Sequence, residues 1–304
     1  MIAAEAKRME WRDVASREPI HKGWSDDRKY KVTDAQGTPF LLRLSAESRY
    51  DRRKIACENM RALAALGVPL CEPVGFGRCE EGVYLLQRWI EGRDAEAALR
   101  EQPARAQYER GLEAGRILRV IHSLPAPEGA EDWETRFGRK MDRKIADYQE
   151  CPVHYEHGEA FLECIRANRA LLRGRPQTWQ HGDYHIGNMM VDQQGRLVII
   201  DFDRDDYGDP WEEFNRIVWC GQAAPPFAAG RVDGYFDGDV PQSFWRLLAL
   251  YISSNTLSSL TWAVTRFPGQ LDTMLQQGED ILRWYDGMRR AVPQWYARYG
   301  GGNE

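Results

Sequence analysis

Three side chains between residues 183 and 201 have the types and spacing to do chemistry on a phosphate. The run His181-Gly182-Asp183-Tyr184-His185-Ile186-Gly187-Asn188 sets a carboxylate and a carboxamide five positions apart, and Asp201-Phe202-Asp203 follows. Moving a phosphoryl group onto an alcohol needs one carboxylate to accept the hydroxyl proton, and an Asn with a second Asp to hold the divalent ions on the phosphates. A base and a metal-binding Asn with four residues between them is the spacing of a kinase catalytic loop. Asp183 is therefore expected to be the base, and Asn188 and Asp201 the Mg2+ ligands.

The elements around them follow from the same stretch. Met189-Met190-Val191 and Leu197-Val198-Ile199-Ile200 are short apolar runs of strand character, and Asp192-Gln193-Gln194-Gly195-Arg196 between them is turn chemistry. Pairing Val191 with Leu197 sets Asn188 opposite Ile200, so Asn188 and Asp201 are expected to emerge together. They would share a cation with oxygen ligands at roughly 2.1 Å. Asp183, on the loop feeding the first strand, is left to face the acceptor hydroxyl. His181 is expected to pack at the base of that loop and brace Asp183.

The segment 181–188, then Ile200-Asp201-Phe202-Asp203, then Gly208-Asp209-Pro210 resembles the aminoglycoside phosphotransferase family, whose fold is shared with choline kinases and, more distantly, protein kinases. The resemblance runs from about Lys22 to the C-terminal helices; it is specific at the catalytic centre and loose after about residue 220. It implies an α+β, two-lobed, protein-kinase-like fold, with a small β-rich nucleotide-binding lobe over 1–88 and a larger, mainly helical catalytic and substrate-binding lobe over 89–304. It further implies ATP, or alternatively GTP, with Mg2+. Asp209 would hold the catalytic loop through backbone amides.

In the first ninety residues, 29–34 and 39–44 read as a hairpin, 48–66 as a helix ended by Gly67 and Pro69, and 74–77 with 83–87 as a second strand pair. Later helices are expected at 108–121, 155–173, 242–265 and 269–291, with 125–129 and 223–230 as loops. His21-Lys22-Gly23-Trp24-Ser25 stands where a phosphate-covering loop would, and the resemblance points to Gly23 and Ser25. Arg43 occupies the third-strand position where Lys is usual; its fork can grip two phosphate oxygens but is bulkier and more rigid. Glu58 is its expected helix partner, with Glu47 as rival. Gln87 and Trp89 are expected to line the adenine slot.

Composition bounds the partners. At 304 residues with 43% hydrophobic and 29% charged side chains, the chain is an ordinary globular one, long enough for two unequal lobes. Its longest apolar run is six residues, 247–252, too short to span a bilayer. Charged residues at 5, 7 and 8 interrupt any signal-peptide core, and six scattered cysteines without a C-x-x-C pair read as reduced thiols, so a cytoplasmic protein is expected. Net charge is −5 with no basic stripe, which argues against nucleic acid.

Residues 183–213 hold nine acids against two arginines, an acidic surface that would concentrate cations. Only four residues separate Asp203 from Gly208, so no activation loop is available to seat a peptide. The expected acceptor is a small cationic alcohol such as an aminoglycoside, with choline or an amino sugar as alternatives, and Asp203, Asp205, Asp206 and Glu213 meet its ammonium groups. The alternative of another class, a non-catalytic nucleotide-binding pseudokinase, would be expected to lack Asp183, Asn188 or Asp201; all three are present.

Overall fold

The computed structural model describes residues 14–21 and 26–300. The chain divides into two compact units, one formed by the residues up to Asp94 together with Met189–Asp203, the other by Ala95–Asn188 and the residues from Arg204 onward. The expected boundary at 88/89 falls six residues before the end of the first unit's opening segment, and the hairpin after Asn188 goes with that same unit.

The first unit is built on five antiparallel strands, β1 (Ser16–Ile20), β2 (Arg28–Thr33), β3 (Pro39–Ser45), β4 (Pro73–Cys79) and β5 (Gly82–Arg88), in the order β1-β2-β3-β5-β4. Asp34 turns the chain from β2 to β3 by accepting from Gln36 N at 2.9 Å and Thr38 N at 2.8 Å. Alternation places Val32, Phe40, Leu42, Leu44, Tyr84 and Leu86 in one buried cluster. Helix α1 (Tyr50–Ala65) follows β3, and its buried residues are Arg53, Ala56, Cys57, Met60 and Leu63, three or four apart as one helical face requires. Ile55 and Leu66, apolar residues of the same stretch, are exposed.

Three further strands complete this unit: β6 (Gly92–Asp94), β8 (Met189–Asp192) and β9 (Leu197–Ile199), in the order β6-β8-β9. Val191 pairs with Leu197, Met190 with Val198 and Met189 with Ile199. The turn is closed by Asp192, whose side chain accepts from Gln194 N and Arg196 N. Backbone bonds from Ile199 N to Pro69 O and from Cys71 N to Ile199 O fasten the hairpin to the segment before β4.

The second unit is helical apart from a ribbon of β7 (Thr178–Gln180) and β10 (Asp206–Gly208). Its helices are α2 (Ala95–Arg100), α3 (Ala104–Ile121), α4 (Trp133–Gln149), α5 (Glu159–Asn168), α6 (Ile217–Ala223), α7 (Pro225–Phe236), α8 (Gln242–Arg266), α9 (Leu271–Trp284) and α10 (Gln294–Tyr299). Helix α7 replaces the loop expected over 223–230. Pro225 stands in its first turn, where a missing N–H costs nothing. Its glycines serve packing: a Cβ at Gly230 or Gly234 would run into the Tyr108 or Leu112 carbonyl oxygen of α3, and one at Gly111 or Gly115 would strike Phe227 or Arg231 of α7. Among the described residues no helix is long and apolar enough to cross a membrane.

Candidate active site

The loop around Asp183 belongs to the second unit, and its shape is imposed from several sides. Gly182 has φ +83°, and a Cβ there would collide with the Arg204 carbonyl oxygen, so the residue before Asp183 must be glycine. The two backbone N–H groups flanking this bend both donate to one carboxylate, His181 N to Glu213 Oε2 at 2.9 Å and Gly182 N to Glu213 Oε1 at 2.5 Å. Glu213 is itself buried, and His122 Nε2 lies 3.1 Å from its Oε2. Burial alone would raise its pKa; the bond from His122, then the charges of His122, His181 and Arg231, hold it below the usual value.

The rest of the loop is bolted to α3 and α7. Tyr184 donates its hydroxyl to Ala114 O at 2.8 Å, while the fully buried Arg231 donates to Tyr184 O at 2.8 Å and lies over the Tyr184 and Phe214 rings. His181, with no exposed surface, accepts the Asp183 N–H at Nδ1, 3.2 Å away. At the far end Asn188 Nδ2 donates to the Asp183 carbonyl at 2.9 Å, which orients the amide and leaves Oδ1 as its acceptor face. Every backbone constraint converges on Asp183.

Two guanidiniums and an imidazole surround the Asp183 carboxylate. Arg216 Nε lies 3.2 Å away, His185 Nε2 3.8 Å and Arg204 Nε 3.9 Å. Desolvation would raise its pKa, but Arg216 foremost, then His185 and Arg204, hold it far below the ordinary carboxylate range. It is an ionised acceptor, as proton abstraction or orientation of a hydroxyl requires.

The first unit carries the other predicted residues. Arg43 on β3 is buried, with Nη1 at 2.7 Å from Asp201 Oδ1, Nη2 at 3.5 Å from Asp203 Oδ1 and Nε at 3.3 Å from Asp27 Oδ2. Burial opposes its charge, and the carboxylates of Asp201, Asp203 and Asp27 outweigh that and keep it protonated. Asp201 ends the hairpin in a left-handed conformation, φ 65°, rare outside glycine. Burial would raise its pKa, but the charges of Arg43 and then Lys29 hold it lowered. Its carboxylate is part-exposed. A carboxylate here and an amide oxygen on Asn188 are hard donors of the kind Mg2+ takes, so each residue fits a ligand's role on its own unit.

Several expectations are corrected. Glu58 does not partner Arg43: it lies on the solvent side of α1, 4.0 Å from Lys54. Five residues, or about 140°, separate it from the buried Arg53. Glu47 is taken by Arg78 at 2.5 Å. The acids meant for the acceptor are engaged elsewhere: Asp203 with Arg53 and Arg43, Asp205 with Trp179 Nε1 at 3.2 Å, Asp206 in a fork with Arg136 at 2.7 and 2.8 Å, and Glu213 under the loop. Asp209 does not hold the loop over 181–188: its carboxylate receives Arg175, the Tyr251 hydroxyl and Trp211 N. Glu213 performs that bracing.

Gln87 turns its side chain inward, donating to Cys71 O at 2.9 Å, and Trp89 receives the Lys31 ammonium over its ring at 4.7 Å. Gly23 and Ser25 lie outside the described residues. Arg53, Asp27 and Arg216 were missed by sequence reasoning. A polar residue at the buried phase of α1 is the signal that could have found Arg53.

Comparison with known proteins agrees with this frame. Residues 16–245 match the phosphotransferase enzyme family. An aminoglycoside 3′-phosphotransferase of Niallia circulans is 25% identical over 207 residues, 64% of this chain and 75% of that protein. Among solved structures, a GDP complex of an aminoglycoside 2′-phosphotransferase superposes with a TM-score of 0.66 at 16% identity, covering 90% of this chain and 94% of that one. An amicoumacin kinase bound to AMP-PNP and Ca2+ superposes with a TM-score of 0.60 at 13% identity, covering 94% and 91%. These superpositions show the kinase-like fold. The chain belongs to the phosphotransferase enzyme family, and it is a phosphotransferase acting on hydroxyl groups.

Proposed function

We propose that the protein transfers the γ-phosphate of Mg·ATP to a hydroxyl of a small molecule, with Asp183 as the base. One observation carries this reading: an ionised carboxylate held from behind by Glu213 through the loop backbone and from the side by Arg216. The acceptor hydroxyl would donate its proton to Asp183 as the oxygen attacks the phosphorus. Asn188 Oδ1 and the Asp201 carboxylate would hold Mg2+, which when bound neutralises charge on the phosphates. Arg43 would grip the same phosphates from β3, making the first unit the nucleotide-binding one. The GDP and AMP-PNP carried by the structural neighbours support a nucleotide donor and leave GTP as a second donor to try.

For the acceptor, the family resemblance and the aminoglycoside enzymes among the relatives support an amino-bearing polyol. A specific observation favours a second reading. The expected acids are spent on Arg53, Trp179, Arg136 and the loop backbone, whereas Asp183 is ringed by Arg216, Arg204 and His185. An acceptor with a carboxylate or phosphate of its own would suit that ring. ATP turnover measured against aminoglycosides, amino sugars, choline and acidic sugars decides between the two. Absence of acceptor-dependent turnover across the panel, with both ATP and GTP, would reject the kinase reading.

A further inference from the structure

Two arginines, not one, occupy the interior beside β3. Arg53, on the first turn and a half of α1, is only 4% exposed. Its guanidinium reaches three separate chain segments: Ser45 Oγ on β3 at 3.1 Å from Nε, Asp27 Oδ2 before β2 at 2.6 Å from Nη2, and Asp203 Oδ1 after β9, also from Nη2. The first two acceptors are themselves joined, Ser45 Oγ donating to Asp27 Oδ1 at 2.8 Å.

Asp27 and Asp203 are each shared between the two arginines, since Arg43 pairs with the same oxygens, Asp27 Oδ2 and Asp203 Oδ1. Arg43, Asp27, Arg53 and Asp203 thus close a ring of alternating charge, from which Arg43 reaches out to Asp201. In a kinase the strand cation is held by a glutamate on the helix. Here the helix contributes a second cation, and the acid has moved to Asp27, two residues after Ser25 in the sequence.

Stability alone is a poor reason for this arrangement. Burying two guanidiniums and their carboxylates carries a desolvation cost that the pairing roughly offsets, and apolar replacement of such groups is often neutral. What the ring does supply is geometry. A planar fork bonded to three segments fixes the strand arginine, the residue two beyond Asp201 and the chain following the candidate phosphate loop in one arrangement.

We propose that Arg53 is a positioning residue of the nucleotide site, taking the place of the helix glutamate and acting through Asp27 and Asp203 on Arg43 and Asp201. The proposal rests on the reading that the first unit binds nucleotide. Arg53→Lys keeps the charge but cannot reach all three acceptors. It should retain the fold, shown by an unfolding midpoint close to wild type without nucleotide, yet bind Mg·AMP-PNP about tenfold more weakly in calorimetry without acceptor. Under turnover its KM for ATP should rise more than its kcat falls.

Asp27→Asn should weaken binding similarly, and the double variant should be no worse than either alone, because both act through one ring. Arg53→Met, which removes the charge but keeps much of the volume, should be weaker still. Wild-type affinity for Mg·AMP-PNP in folded Arg53→Lys and Arg53→Met, or additive losses in the double variant, would overturn the proposal alone. Failure of the wild-type protein to bind Mg·AMP-PNP or Mg·GTP would overturn it together with the nucleotide reading beneath it.

Discussion

Arg216 Nε stands 3.2 Å from Asp183 Oδ1, and the short turn that carries Arg216, Glu212–Arg216, also carries Glu213. One five-residue segment therefore grips both the side chain of Asp183 and the backbone of the loop that carries it. The carboxylate is aimed by an arginine at one end of the turn while the peptide groups before it are tied down by a glutamate near the other.

The role of Asp183 is tested by Asp183→Asn, which keeps the shape and removes the proton acceptor. We expect kcat to fall by roughly 10²–10⁴, the usual worth of a general base, with Mg·ATP affinity nearly unchanged. The charge on Arg216 gives a second handle. It keeps the Asp183 pKa below the ordinary Asp value of about 3.9, so the acid limb of kcat/KM that belongs to Asp183 lies below that pH. In Arg216→Ala the limb should move upward. Profiles that coincide would mean that Asp183 is not the group titrating.

Arg43 and Asp201 make opposite predictions about metal. Asp201→Ala should abolish the magnesium dependence of nucleotide binding, because the carboxylate that offsets the ion's charge is gone. Arg43→Lys should keep measurable binding with a raised KM for ATP, since one ammonium cannot reproduce the contacts to Asp27, Asp201 and Asp203. Calorimetric titrations with and without Mg2+ separate the two effects. Equal affinity in wild type and Asp201→Ala would remove Asp201 from the metal site.

Glu213 should be worth a great deal to folding, because it is buried and braces a backbone bend. Glu213→Ala leaves the buried His181 N–H, the part-buried Gly182 N–H and His122 without their acceptor, a loss of about 3–5 kcal/mol by analogy with other broken buried charge pairs. Because its native pKa is lowered, its contribution is fully present above the unfolded Glu value of about 4.3 and disappears as the pH falls through the lower native one. Urea unfolding at pH 7 checks the magnitude. A variant within about 0.5 kcal/mol of wild type would contradict the bracing role.

What could be read from the sequence was local. The Val191–Leu197 register followed from two apolar runs and a five-residue turn, because hairpin pairing is set by neighbours in the chain. The partners of the acids were not legible, since Asp206 meets an arginine 70 residues away on α4 and Asp203 one 150 residues away on α1. Helix phase misled as well. The face of α1 that packs carries Arg53, a residue that patterning by polarity assigns to solvent, and Glu58 lies on the opposite, exposed side. Pro225, Pro226 and Gly230 likewise resembled loop chemistry, although two prolines open α7 and its glycine admits the close passage of α3.

Lys144 on α4 offers a prediction that joins stability to acceptor choice. Its side chain is half-buried, and among the described residues it has no ion pair or hydrogen bond. Desolvation, then the nearby charge of Lys140, push its pKa down to about 7, against which Glu212 acts only in part. A lysine whose native pKa lies below its unfolded value of about 10.4 destabilises the fold while it is charged in both states, and the penalty shrinks as the pH rises from about 7 toward 10. Lys144→Met should therefore raise the unfolding midpoint by a few degrees at pH 6 and by progressively less above pH 8. If the acceptor carries an anion, an ammonium within electrostatic range of Arg216 has a use, and the same variant should raise the acceptor KM several-fold without altering the KM for ATP. With an amino-bearing acceptor the KM should instead fall or stay unchanged, since a like charge has been removed. Kinetics on the best acceptor from each class, run with wild type and Lys144→Met at pH 6.5 and 8.5, read both effects. An unfolding midpoint equally shifted at the two pH values would mean that the lysine titrates normally and that packing alone had changed.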